Sequence, residues 1–368
     1  MLVFFLSMTV GCAATVHRDS SDFIRNVGFS PDGKKLIFNR QKGDRPYMIS
    51  TYDMESGELT AYASPVGEKW DYPQYSPDGK YIVFVSFPVE TISATELHPA
   101  KTVETPDKSQ IAVISADGNS FRKITNSNGY KAYPSFSHSG RKIIFARSDV
   151  MEEKPQVGIK WTICEADVKT GRETSLTEFK FFSVSKPYYF PDDKTFVFGG
   201  EYLTGYPGAP DSNKDTESFR KVEKKRKELK SKYKDNSIYV MQANEKEIKP
   251  YLALPKIKKR FRKAFVDSDY AKWPSLNADG SVLIFKAQGF NPDGSADYDS
   301  LYQYSSNGNH RRITQIPPTE SMPTVSHDGE MIAVIPRLSN RIIIYQVKDG
   351  QSRELLLPDQ PSHIIHVK

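Results

Sequence analysis

The chain has 368 residues, 38% of them hydrophobic and 26% charged, which suits a globular protein able to bury a sizeable core. Two cysteines exclude a disulfide framework. The formal net charge of +6 is a local property: residues 214–263 hold 18 Lys and Arg against 7 Asp and Glu, while the remainder holds 33 against 38.

Residues 1–10 are almost wholly apolar and lead into Gly11-Cys12-Ala13. So short a run cannot cross a bilayer and reads as a signal peptide over 1–12. Its end resembles the bacterial lipobox, in which the cysteine thiol is acylated, so Cys12 is the expected lipidation site and 13–23 a polar tether. Position −3 is Thr9 rather than Leu and no Lys or Arg precedes the run, so an ordinary secretory signal or a chance apolar run is the alternative.

From residue 24 onward one pattern returns six times. It is Phe29–Phe38, Tyr75–Phe84, Phe136–Phe145, Tyr189–Phe198, Leu276–Phe285 and Val325–Val334. Each copy opens on turn chemistry, as in Ser30-Pro31-Asp32-Gly33. There the proline presets φ, the aspartate bonds the local backbone and the glycine accepts a left-handed conformation. An apolar strand follows, and most units then show a second hairpin, such as residues 47–53 and 58–62 about Glu55-Ser56-Gly57. Four strands per unit, in a unit too small to bury its own apolar face, predict an all-β, six-bladed propeller of four-stranded blades over 24–362. Residues 363–368 are left over as a possible closing strand. A β-sandwich with coincidental turn signals is the competing fold.

The repeat is Ser-Pro-Asp-Gly, two residues, an aliphatic residue, one residue, then an aromatic one. Four residues before the turn position stands a proline, at Pro73, Pro134, Pro187, Pro274 and Pro323, replaced by Val27 in the first unit. Together these resemble the repeat of the TolB propeller family over roughly residues 24–357. TolB carries an α/β domain ahead of its propeller, for which this chain has no room. The resemblance therefore implies the propeller and a binding role, and does not carry over docking of a peptidoglycan-associated lipoprotein.

Unit four is interrupted between its second and third strands by residues 199–235. Within it, 214–234 reads as a helix with Phe219, Val222, Leu229 and Tyr233 on a narrow apolar stripe. Lys224, Lys225 and Lys227 from this insertion, with Lys258, Lys259 and Arg260 from the loop entering unit five, fall on one face of a propeller. They form a candidate docking surface for an anionic partner; a solvated lysine-rich face is the plainer reading.

The first strand of each blade lines the central channel, so residues just before it rim one mouth. Arg25, Asp71, Tyr72, Tyr133, Lys186, Lys272 and Trp273 are the candidate partner-binding rim, since rings with a few charges suit peptide or sugar recognition. The same aromatics could simply cover strand ends.

No paired histidines, nucleophile elbow or phosphate loop appears in the sequence. His138 and His327 stand where other units have the turn proline, and Cys164 reads as a buried, inert thiol. Asp293, Asp297 and Asp299 form a weak calcium candidate, with a polar turn as the better reading. The expected protein is a non-enzymatic, monomeric envelope lipoprotein on the outer membrane. It is expected to bind an envelope protein or cell-wall polymer, with no cofactor and no nucleic acid. A polysaccharide lyase or hydrolase with its site in the channel is the alternative.

Overall fold

A computed structural model describes residues 22–42, 48–92, 101–104, 106–148, 160–178, 181–202, 237–245, 248–251, 271–290, 296–305, 310–313, 322–336 and 341–367. They form an all-β, six-bladed propeller. Blade 1 holds β1 (Asp22–Phe29), β2 (Lys35–Lys42), β3 (Met48–Asp53) and β4 (Leu59–Ala63). Blade 2 holds β5 (Glu68–Tyr75), β6 (Tyr81–Ile92), β8 (Gln110–Ser115) and β9 (Phe121–Lys123), with β7 (Lys101–Glu104) hairpinned onto the far end of β6. Blade 3 holds β10 (Lys131–Phe136), β11 (Lys142–Ser148), β12 (Trp161–Asp167) and β13 (Glu173–Ser175). Blade 4 holds β14 (Phe181–Tyr189), β15 (Thr195–Tyr202), β16 (Ser237–Gln242) and β17 (Lys249–Pro250). Blade 5 holds β18 (Ala271–Leu276), β19 (Val282–Phe290), β20 (Ala296–Ser305) and β21 (His310–Ile313). Blade 6 holds β22 (Thr324–Val325), β23 (Met331–Val334), β24 (Ile342–Gln346) and β25 (Ser352–Leu355).

Strand alternation explains the ring. Successive side chains of a strand face opposite sides of its sheet, so the second strand of each blade serves two interfaces at once. Leu36 and Phe38 pack on Ala333, Ile342 and Ile344 of blade 6, whereas Ile37 packs with Ile82 and Phe84 of blade 2. The pattern continues around the circle. Phe145 joins Val83 and Val85, Phe198 joins Ile144 and Ala146, and Phe285 joins Val197. Ile284 then meets Ile332 and Val334. Each of the six blade interfaces thus has its own apolar cluster, and all five phenylalanines are buried.

The turn residues do what their chemistry dictates. In blade 1 the Ser30 hydroxyl donates to Asp32 Oδ1 and accepts from the Lys35 amide, while Asp32 Oδ1 accepts from the Lys34 amide. Gly33 sits at φ 70°, a conformation that costs a side chain strain. Ser76/Asp78 and Ser326/Asp328 repeat the arrangement.

Blades 1 and 6 each supply four consecutive strands of their own. A further strand, β26 (His363–His366), pairs parallel with β4 on the outer edge of blade 1. Ile365 and Val367 then pack into the cluster between blades 1 and 2.

Several sequence boundaries shift. Asp22 and Phe23 belong to β1 rather than to a tether, because Asp22 pairs with Lys42 and its carboxylate takes two hydrogen bonds from Arg40. Gly199–Tyr202 extends β15, since Gly199 and Gly200 pair with Ile238 and Ser237. Asp297 and Asp299 lie on strand β20, where Asp297 pairs with Gly289, so they do not form a loop. Cys12, Asp293, the predicted helix and the six basic residues Lys224, Lys225, Lys227, Lys258, Lys259 and Arg260 lie outside the described residues.

Candidate functional site

The innermost strand of five blades carries the same irregularity. In β1, pairing runs from Arg25–Asn39 straight to Gly28–Ile37, so Asn26 and Val27 both oppose Phe38. Tyr72-Pro73 oppose Phe84, Tyr133-Pro134 oppose Phe145, Lys186-Pro187 oppose Phe198, and Trp273-Pro274 oppose Phe285. Two residues against one is a β-bulge, whose extra residue is left out of the ladder. A proline loses nothing there, having no N–H to pair, and this explains the spacing of the repeat prolines. The first bulge residue is left-handed in all five blades, with φ of 56° at Asn26, 56° at Tyr72, 55° at Tyr133, 38° at Lys186 and 54° at Trp273.

A left-handed conformation costs a non-glycine residue about 1–2 kcal/mol. Five such residues at equivalent positions form a ring of contacts around one mouth of the bore. Between blades 1 and 2, the Asn26 amide donates to Asp71 Oδ1 at 2.6 Å, Arg25 pairs with Asp71 Oδ2 at 3.4 Å, and the Tyr72 amide donates to Asp71 Oδ1 at 2.9 Å. Asn39 accepts from Asn26 and from the Tyr72 amide and donates to the Trp70 carbonyl. Burial raises the Asp71 carboxyl above its ordinary range, against the opposing pull of Arg25. Between blades 2 and 3, the Tyr72 and Tyr133 rings meet edge-on at 4.7 Å, and burial pushes both phenols up. Between blades 4 and 5, Ser185 accepts from the Trp273 amide at 3.1 Å, and the Lys272 and Lys286 ammonium groups lie 4.1 and 4.8 Å from the Trp273 ring centre.

The predicted rim residues therefore do gather at one mouth, but unequally. Arg25 is exposed, Tyr72, Tyr133, Lys272 and Trp273 are half-buried, and Asp71 and Lys186 are buried.

Among the described residues three ties cross the bore. Lys186 of blade 4 donates to the Pro323 carbonyl of blade 6 at 3.0 Å, Gln74 of blade 2 donates to Tyr188 of blade 4 at 3.1 Å, and the His138 Nε2 of blade 3 meets the Ala278 carbonyl of blade 5 at 2.6 Å. The half of the bore on the turn side encloses about 260 Å³, lined by all six blades, Phe29, Gln74, His138, Tyr188, Asn277 and His327 among them. Two departures from the repeat find their use here. Asp193, standing where other turns have glycine, accepts from the His138 and Ser139 amides of the neighbouring blade. His138, in place of the proline, reaches Ala278. Burial and the neighbouring His138 hold His327 below its usual range. Among the described residues no three His, Cys, Asp or Glu side chains are grouped to hold a metal ion.

Sequence reasoning missed Asn39, Gln74 and Tyr188. Asn39 carries a signal, a polar residue closing the apolar run Leu36-Ile37-Phe38, whereas Gln74 and Tyr188 show none outside the three-dimensional ring.

No protein-family model matches the chain. It is 28% identical over 177 residues to the uncharacterized protein Atu1656 of Agrobacterium fabrum, a stretch covering 46% of this chain and 53% of that protein; the chain thus spans about half the length of the curated relative it matches. Among solved structures, TolB from Acinetobacter baumannii superposes with a TM-score of 0.54 at 17% identity, over 93% of this chain and 64% of that one. A puromycin-hydrolyzing peptidase from Mycobacterium tuberculosis gives 0.52 at 12% identity, over 93% and 55%. The fold is that of a TolB-type propeller, and it also superposes on part of that peptidase.

Proposed function

We propose that this propeller is a non-catalytic binding module of the bacterial envelope, which receives a protein or cell-wall partner at the mouth formed by the strand bulges. The observation that carries the reading is the ring of left-handed, non-glycine residues. Strain that could be relieved by glycine is kept at five equivalent positions, and its effect is to set Asn, Tyr, Lys and Trp side chains around one opening. Strained backbone concentrates at functional sites, and aromatic anchors beside charged groups are typical of binding hot spots. An enzyme with its site in the bore has less support, because the ties from Lys186, Gln74 and His138 cross the path that a threaded polymer would take.

Gly11-Cys12 supports acylation of Cys12 and an outer-membrane anchor, and labelled fatty acid on Cys12 checks it. The basic residues Lys224, Lys225, Lys227, Lys258, Lys259 and Arg260 are proposed as a further docking surface for an anionic partner, on the strength of their charge. The test of the mouth is capture from cross-linked envelopes. Tyr72→Ala with Trp273→Ala should lose the captured species while the fold, followed by circular dichroism, is unchanged. Identical capture by wild type and variant overturns the reading.

A further inference from the structure

Lys186 differs from the other ionisable groups at the mouth. It is 6% exposed, and the Pro323 carbonyl is its one hydrogen-bond acceptor among the described residues. Asp71 has Arg25 and Asn26. Elsewhere in the ring, Lys123 has Glu68 at 2.5 Å and Lys142 has Glu165 at 2.9 Å. Among the described residues no carboxylate comes to Lys186, and burial holds its ammonium at about 7. A lysine ammonium offers three donors, and one is used. An isolated buried charge is costly unless it is paired.

The position of Lys186 follows from the ring. Blade 5 stands between blades 4 and 6, so a side chain reaching from Lys186 to Pro323 passes through the bore, in front of the bulge of Trp273. Lys272 and Lys286 place two more ammonium groups on that indole. Positive charge therefore collects on the side of blades 4 and 5. The carboxylate of the mouth, Asp71, lies on the side of blades 1 and 2 and is already paired. The ties that link alternate blades across the bore hinder a chain from threading it. The occupant that this excess of positive charge favours is a chain terminus, which presents its carboxylate first and its last side chain to the neighbouring rings.

We propose, on the premise that the mouth is the docking site, that Lys186 is the seat for the free C-terminal carboxylate of a peptide partner, with Trp273, Tyr72 and Tyr133 receiving the terminal side chains. The carboxylate supplies the missing counter-charge and takes up the two unused ammonium donors. Recognition of this kind discriminates an acid from its amide, because the amide brings no charge and leaves the buried cation unpaired.

The probe is a library of fluorescein-labelled hexapeptides, each made as the free acid and as the C-terminal amide, measured by fluorescence polarisation on the purified full-length protein. Free acids should bind at least about tenfold more tightly than their amides. Lys186→Met should abolish that preference, and Lys186→Arg should retain it. In wild-type protein labelled with ¹³C-lysine, the Lys186 titration should move to higher pH when a free-acid peptide binds, a readout that does not depend on any variant folding. If no free acid binds, if acid and amide bind alike, or if a peptide with an internal Asp or Glu and an amidated end binds as well as the free acid, the carboxylate seat is wrong. If that failure accompanies envelope capture that still depends on Tyr72 and Trp273, the mouth remains the docking site. If capture is independent of them as well, the underlying reading falls too.

Discussion

At the scale of single residues, the mouth is expensive to build. Tyr72, Tyr133, Lys186 and Trp273 each stand before a proline, a place that disfavours helical conformations, and each is left-handed. Lys186 adds the cost of a buried cation, and that cost has a sign that can be measured. Its folded-state value, near 7, lies below the 10.5 of a free lysine. A group depressed in this way stabilises the fold above its unfolded value and loses that contribution as pH falls through the folded one. Lys186→Met should therefore melt close to wild type above pH 10.5 and progressively higher than wild type as pH drops towards 7. Thermal scans between pH 6 and 11 check this. A gain that is flat with pH would place the charge of Lys186 on an unseen partner.

At the scale of elements, the repeat was legible because each of its positions has one physical task. Pro31 and Gly33 make a turn and Phe38 fills an interface. Less obviously, Pro73 and its counterparts occupy the second position of a bulge, opposite those same phenylalanines. The sequence shows the proline and the aromatic at fixed spacing; it does not show that they face each other. It also could not show that Asp71 and Lys186 are buried while Arg25 is exposed, since burial at the mouth depends on contacts between blades. Because Phe84 is packed against Ile37, Ile49 and Trp70, Phe84→Ala should cost about 3–5 kcal/mol through lost burial and a cavity. Urea unfolding gives the number. A loss below about 1 kcal/mol would mean that the blade 1–2 interface can collapse around the missing ring.

At the scale of the whole molecule, the question is what holds the first blade to the last, since each builds its own four strands from one end of the chain. The apolar cluster of Phe38, Ile335, Ile342 and Ile344 makes one closure, of the same kind as at every other interface. The C-terminal segment makes a second. Leu357 packs on that cluster, the Pro358 carbonyl accepts from the buried Arg40 at 2.7 Å, and Asp359 pairs with Lys42 at 2.5 Å. The chain then crosses the edge of blade 1 as β26, where His363 meets Glu58 at 2.9 Å, and Val367 is buried between blades 1 and 2. A side chain at Gly118 of blade 2 would collide with Ile365, so the neighbouring hairpin is shaped around this strap. The last residues thus tie together blades 6, 1 and 2; the sequence marks 363–368 as a possible closing strand but could not show that they add outside β4. Deleting residues 358–368 should uncover the edge of β4 and leave Arg40 without one of its acceptors. Unpaired sheet edges promote association, and loss of a buried partner costs about 1–3 kcal/mol. The truncated protein should melt lower, with blade 1 amides exchanging hydrogen faster than those of blade 3, and should self-associate on sizing columns. Uniform exchange across the blades with an unchanged melting temperature would leave the cluster at blades 1 and 6 as the whole of the closure.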